Sequence, residues 1–215
     1  ATADPVLLLE ETWDEGIDTV RWKPYGDPLP TAVAVEGRGR ALLNNGDSLY
    51  PSGLVTRRLF PSRDGITLEW SQRAPVTGDY WQEIWVDLVD LGLDDFIVGP
   101  GDPFSGRRQF RLAHVVSPLL EFQPPRPRLV VNCGQRSGNA VPFEEGVSDA
   151  AWHDFSLRLY PSGGCALSID GRRVRSVVGG GADVDSLPPV RLAIGGRSHR
   201  TRMLVDDLRV WRGVH

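Results

Sequence analysis

Four residues that alternate along one short segment, Trp81, Glu83, Trp85 and Asp87, have the side chains that carbohydrate recognition uses. Aromatic rings stack on the apolar side of a pyranose, and carboxylates accept hydrogen bonds from its hydroxyl groups. Residues two apart in a β-strand share a face, so a strand here would place all four on one ligand-binding surface. The alternative is structural: one or both tryptophans lie under a loop, and the carboxylates pair with arginines.

The elements that must position these residues have the period of two expected of β-strands. Ile84, Val86 and Leu88 form the apolar face opposite the four residues. The segment Ile66–Arg73 alternates in the same way, and we expect Glu69 and Arg73 to join the ligand-binding surface from a neighbouring strand. Two-faced strands of this kind are typical of a sandwich with one face on the core.

About a dozen such segments follow one another along the 215 residues, separated by glycine, proline, asparagine and aspartate. The frequent prolines and glycines leave little room for long helices. The Pro118–Pro127 and Gly179–Gly181 stretches are short and have strands on both sides, so we interpret them as loops. The pattern therefore predicts an all-β chain that forms one domain over residues 1–215.

The last third of the chain carries an ordered series of short motifs. In order they are Trp152-His153-Asp154-Phe155, the turn Asp170-Gly171, Leu192-Ala193-Ile194-Gly195-Gly196, and Met203–Trp211, with the sequence MLVDDLRVW. This series resembles the laminin-G-like members of the concanavalin A-like lectin/glucanase superfamily. Glu10–Asp14 and Tyr50–Leu54 are similar to motifs in the N-terminal half of that family. The resemblance implies a two-sheet antiparallel jelly-roll sandwich, with the predicted strand Trp81–Leu88 near the concave sheet where members bind glycans.

The same resemblance raises the question of glycoside hydrolysis. Family-16 glycoside hydrolases of this superfamily use a Glu-x-Asp-x-(x)-Glu strand, and Trp85 stands where that pattern has its middle acid. Glu83 and Asp87 have Cα atoms roughly 13 Å apart on a strand, whereas catalytic carboxyl pairs lie about 5–5.5 or 6.5–9.5 Å apart. Glu69 and Glu83 could approach each other across adjacent strands. The sequence therefore favours a non-catalytic member.

A structural calcium ion is a second implication of the resemblance. Superfamily members often hold such a cation with an aspartate of the final strand and with N-terminal oxygens, which here correspond to Asp206, with Asp207 beside it, and to Glu10 and Glu11. Carboxylate and carbonyl oxygens suit this hard cation. The alternative is that the two aspartates pair with arginines such as Arg209.

Composition excludes some classes of partner. The net charge of −4 disfavours non-specific binding to nucleic acid, and no apolar run approaches the roughly 20 residues needed to cross a membrane. Cys133 and Cys165 form either one disulfide or two buried thiols. Arginine almost replaces lysine, which suggests a GC-rich bacterial genome.

Three functions remain open. We expect an extracytoplasmic carbohydrate-binding, lectin-like module, part of a larger bacterial surface or secreted protein. One alternative is a glycoside hydrolase or lyase on the same fold. The other is a sensory or adhesive ectodomain that binds a protein partner. Fold alone does not decide among them.

Overall fold

The computed structural model describes residues 4–46, 51–74, 82–90, 92–93, 108–116, 128–133, 150–162, 164–177, 188–198 and 201–215. Only the backbone is described for strand residues 45–46, 82–84, 108–116, 128–133, 175–177, 197–198 and 201.

The described residues form β-strands and no helix. The strands are β1 (Val6–Glu11), β2 (Trp22–Tyr25), β3 (Thr31–Val35), β4 (Gly39–Gly46), β5 (Ser52–Thr56), β6 (Ile66–Arg73), β7 (Gln82–Val89), β8 (Arg108–Val116), β9 (Arg128–Cys133), β10 (Trp152–Leu159), β11 (Cys165–Ile169), β12 (Arg172–Val177), β13 (Arg191–Ser198) and β14 (Thr201–Arg212). The sequence also predicts a strand at Phe96–Val98, and this segment lies outside the described residues.

Two antiparallel sheets contain all of these strands. The eight-stranded sheet has the order β12-β11-β10-β6-β14-β4-β3, and β1 also pairs with β14. The six-stranded sheet has the order β2-β5-β13-β7-β8-β9. Every pairing between the strands is antiparallel, and non-consecutive strands are neighbours in both sheets, as in a jelly-roll sandwich. The predicted fold class is therefore confirmed.

The main core lies between the two sheets and is filled by alternate residues of each strand. Leu68, Trp70 and Leu157 enter it from the eight-stranded sheet, and Val86 and Leu88 enter it from the six-stranded sheet. Trp70 also stacks on Phe155, its partner across the strands, with ring centroids 5.0 Å apart. Each buried side chain of this size contributes roughly 1.5–3 kcal/mol, so the alternation along the strands determines which face is buried.

A disulfide links the two sheets. Cys165 of β11 is disulfide-bonded, and the one other cysteine in the chain is Cys133, at the end of β9. Since β11 belongs to the eight-stranded sheet and β9 to the six-stranded sheet, the bond connects the layers directly. Of the two alternatives that the sequence left open, the disulfide is correct.

Candidate functional site

The predicted ligand strand, β7, lies inside the six-stranded sheet, between β13 and β8. Val86 and Leu88 belong to the main core, whereas Trp85 and Val89 belong to a second apolar cluster. Because neighbouring residues of a strand point to opposite faces, Trp85, Asp87 and Val89 are on the outer face of this sheet, away from the space between the sheets. We call this surface the outer face of the six-stranded sheet.

Tyr25 and Trp85 form the aromatic part of the outer face. The indole Nε1 of Trp85 donates a hydrogen bond to the Tyr25 hydroxyl, with 3.3 Å between the heavy atoms. Tyr25 comes from β2, at the edge of the sheet, and its ring must cross β5 and β13 to reach Trp85.

Two glycines provide the room for that crossing. Gly53 and Gly195 are direct partners in the pairing of β5 with β13. A Cβ atom added to Gly53 would lie 2.6 Å from the Tyr25 hydroxyl, and one added to Gly195 would lie 2.9 Å from Nε1 of Trp85. Real Cβ atoms do not approach other atoms this closely, so the aromatic pair requires glycine at both positions.

A charged residue lies beside the aromatic pair. Asp87 is completely buried, and in strand register it lies between Ala193 of β13 and Arg111 of β8. Burying a carboxylate is costly unless it is paired or hydrogen-bonded. At the sheet edge, the ammonium group of Lys23 donates a hydrogen bond of 2.6 Å to the carbonyl oxygen of Leu93. The outer face therefore combines aromatic, anionic and cationic groups.

The ligand-binding role of the predicted surface stays a prediction, and the structure describes two of its residues in full. Trp85 and Asp87 share a face, as the alternation predicts. Trp85 is only 1% exposed, so this structure does not present its ring for direct stacking against a sugar. Trp81 lies outside the described residues, and for Glu83 only the backbone on β7 is described.

The prediction that Glu69 and Arg73 join this surface is wrong. Both belong to β6, which lies in the other sheet, between β10 and β14. Glu69 accepts a hydrogen bond from the Trp211 indole at 3.0 Å, and Arg73 donates one to the Ala150 carbonyl at 2.6 Å. The connection between β6 and β7 passes from one sheet to the other, so strands adjacent in sequence are not neighbours in space.

A second group of charged residues lies on the outer face of the eight-stranded sheet. Asp206 is 3% exposed, and its carboxylate Oδ2 is 3.6 Å from Nη1 of Arg38. The same nitrogen is 3.1 Å from Oδ2 of Asp207. Burial raises the pKa of Asp206 to about 6, and the neighbouring Asp207 carboxylate also raises it, while Arg38 acts in the opposite direction.

The four residues predicted to bind calcium do not assemble into one site. Glu10 forms an ion pair with Arg209 at 2.9 Å, and Glu11 accepts a hydrogen bond from the Trp22 indole at 3.2 Å. As consecutive residues of β1 they point to opposite faces, so at most one could face Asp206. The described part of the chain contains no group of three histidine, cysteine, aspartate or glutamate residues placed to hold a metal. The predicted four-residue calcium site is therefore not assembled in the described part of the chain.

Sequence reasoning missed three residues of these two sites. On β2, Lys23 and Tyr25 alternate with Trp22 and Pro24. This short alternation is the one local signal that could have indicated a strand here. Arg38 carries no local signal, because its ion pairs reach residues 168 and 169 positions further along the chain.

Comparison with solved structures identifies the fold. The T. cruzi calreticulin globular domain superimposes with a TM-score of 0.64 at 10% identity, covering 97% of this chain and 89% of that one. The carbohydrate recognition domain of Emp47p has a TM-score of 0.61 at 13% identity, with 94% and 96% of the two chains covered. These are concanavalin A-like folds. This chain has the concanavalin A-like lectin/glucanase fold.

The same fold is shared by an enzyme, β-agarase A from Zobellia galactanivorans. It superimposes with a TM-score of 0.57 at 13% identity and covers 97% of this chain and 92% of its own. The carbohydrate recognition domain of Emp46p, which also matches this chain, is known in potassium-bound and metal-free forms. No protein-family model and no curated protein matches this chain. At sequence identities this low, structural similarity shows the fold alone. The function must be argued from this chain's own residues.

Proposed function

We propose that this chain is a carbohydrate-binding module whose ligand binds at the outer face of the six-stranded sheet. The observation that carries the proposal is the arrangement of Tyr25, Trp85 and Asp87 on one face of β2 and β7. Solved structures with the same fold include carbohydrate recognition domains and an agarase. The proposal assigns no sugar and requires no metal.

The chemistry of this face suits a sugar, which has both apolar C–H surfaces and hydroxyl groups. A buried carboxylate beside an aromatic pair has a fixed orientation, so it can hold its hydrogen-bonding partners in place without losing side-chain entropy on binding. Because Trp85 is buried, we assign to Trp85 and Asp87 the floor of the site. The groups that contact the sugar directly would be Trp81 and Glu83, the other two residues that the sequence predicts for this ligand-binding surface.

We further propose that the protein works outside the cytoplasm, as part of a bacterial surface or secreted protein. The disulfide at Cys165 supports this location, because such bonds persist in oxidising compartments and are rare in the cytosol. The described residues include no helix long and apolar enough to cross a membrane.

A glycan array tests the proposal with two pairs of matched variants. Trp85→Phe is compared with Trp70→Phe, since each tryptophan is buried and donates one hydrogen bond from its indole. Asp87→Asn is compared with Asp206→Asn, which changes a buried aspartate on the opposite sheet. We expect Trp85→Phe and Asp87→Asn to weaken glycan binding roughly tenfold or more, equivalent to about 1.4 kcal/mol, with the two controls unchanged.

Two results would refute the proposal. One is a folded wild-type protein that binds no glycan on the array. The other is equal affinity in all four variants, which would place binding away from this face. Thermal denaturation of each variant shows whether a loss of binding reflects unfolding.

The alternative functions are distinguished by incubating the same proteins with a polysaccharide that the wild type binds and analysing the products. If the wild type releases new reducing ends from a bound polysaccharide and Asp87→Asn abolishes the release, the face is that of a glycoside hydrolase. Unsaturated sugar products would instead indicate a lyase. A protein-binding ectodomain would leave every glycan unbound.

A further inference from the structure

Arg38 lies in the tight turn between β3 and β4, at the outer face of the eight-stranded sheet. The flanking residues Gly37 and Gly39 have φ angles of 77° and 82°, a conformation that glycine adopts without strain. The turn directs the guanidinium to the last strand, where one nitrogen contacts the carboxylates of both Asp206 and Asp207. This nitrogen therefore occupies the position between two adjacent acids.

The guanidinium is also held from a third direction. Its central carbon lies 4.3 Å from the centroid of the Trp152 ring, on β10. A cation over an aromatic face is attracted by the electrons of the ring. The one side chain thus connects the β3–β4 turn, the last strand and β10.

The acids around Arg38 need a positive charge. Asp206 and Asp207 are adjacent in sequence at an irregularity in the pairing of β14 with β6, and Asp207 has a φ of 50°. Oδ1 of Asp206 is buried and has no hydrogen-bond partner among the described residues. A third carboxylate, Asp14, accepts a hydrogen bond of 3.0 Å from the Arg40 amide, next to the turn. Without a cation, these carboxylates would repel one another in a partly desolvated place.

We propose that the guanidinium of Arg38 takes the place of a bound divalent cation at Asp206 and Asp207, so that the fold holds its last strand without calcium. The resemblance implied calcium at these aspartates, yet the expected N-terminal ligands Glu10 and Glu11 are engaged elsewhere. The positive charge comes instead from a residue of the chain. A tethered cation needs no ion from solution and does not dissociate.

The test is the thermal stability of wild type and Arg38→Met, each measured in EDTA and in excess calcium. We expect the melting temperature of the wild type to be the same in both. Arg38→Met should melt at a lower temperature in EDTA and regain roughly 5–10 °C at a calcium concentration a hundred times its Kd. The control is Arg63→Met, which removes an exposed arginine and should respond to neither reagent.

A double variant keeps the proposal testable if Arg38→Met does not fold. Adding Asp206→Asn removes the buried charge that Arg38 neutralises, so Arg38→Met/Asp206→Asn should fold in EDTA and show no calcium response. Three results would overturn the proposal: a wild type that calcium stabilises, an Arg38→Met protein that folds but ignores calcium, or a double variant no more stable in EDTA than Arg38→Met.

Discussion

The buried carboxyl group of Asp206 makes the stability of this protein depend on pH in a direction opposite to that of most carboxylates. Burial raises its pKa from 3.8 to about 6 in the folded protein. The folded state therefore holds the proton more tightly than the unfolded state. The resulting stabilisation is fully present below pH 3.8, declines as the pH rises, and is lost once the pH passes about 6.

The magnitude follows from the size of the shift. A difference of about 2 pKa units corresponds to at most about 3 kcal/mol, at 1.36 kcal/mol per unit. Solvent reaches the neighbouring Asp207 side chain, which is 45% exposed, and screens part of the interaction. We therefore expect the ionisation of Asp206 to lower the free energy of unfolding by about 1–2 kcal/mol at pH 7 relative to pH 4. For a chain of this size that is roughly 2–8 °C in melting temperature.

The assay compares wild type with Asp206→Asn by chemical denaturation at pH 4, 5, 6 and 7. Asparagine has a similar shape and does not ionise, so the difference between the two proteins isolates Asp206 from all other titrating groups. Ion pairs such as that between Glu10 and Arg209 are present in both proteins and cancel. The unfolding free energy of Asp206→Asn should rise relative to wild type between pH 4 and pH 7.

Parallel curves for the two proteins across this range would show that Asp206 has an ordinary pKa, and the reasoning from burial would fail. A wild type that gains stability over Asp206→Asn as the pH rises would show that Arg38 outweighs the burial and lowers the pKa. Carbon-13 NMR of the Asp206 carboxyl group gives the pKa directly.

Three further predictions concern the packing. Gly195→Ala should cost about 1–3 kcal/mol, because its new methyl group meets the Tyr25 hydroxyl on the outer face; urea denaturation measures this, and an unchanged midpoint would contradict it. Leu68→Ala in the main core should cost about 2–5 kcal/mol by the same assay, whereas Leu59→Ala, at an exposed position, should cost under about 0.5 kcal/mol. The disulfide at Cys165 closes a loop of about 30 residues, so reducing it should lower the free energy of unfolding by roughly 3–4 kcal/mol. Equal stability with and without reductant would argue against its role in joining the sheets.

Strands that bury one face were predictable from the sequence. The alternation over Ile66–Arg73 coincides with β6 from end to end, and Val86 and Leu88 face the core as predicted. The pattern is strong because every second residue must leave water, and that requirement is local to the strand. Strand β2 was missed because Pro24 interrupts a segment of only four residues.

The candidate site was only partly predictable. The sequence correctly placed Trp85 and Asp87 on one face, since their spacing alone requires it. It left open whether Trp85 faces a ligand or is buried, and the structure shows that it is buried. It did not indicate that Tyr25 reaches Trp85 across the two small residues Gly53 and Gly195. Those facts depend on which strands are paired, and alternation carries no information about pairing.

The amino-acid sequence by itself determined the class of the fold, which face of each main strand is buried, and the supply of two cysteines for one disulfide. These follow from side-chain period and composition. The tertiary structure alone decided that β6 and β7 lie in different sheets, which separates Glu69 from Asp87. It also decided that Arg38 pairs with the final-strand acids. Both outcomes come from contacts between residues far apart in the chain, whose energies depend on the assembled sandwich.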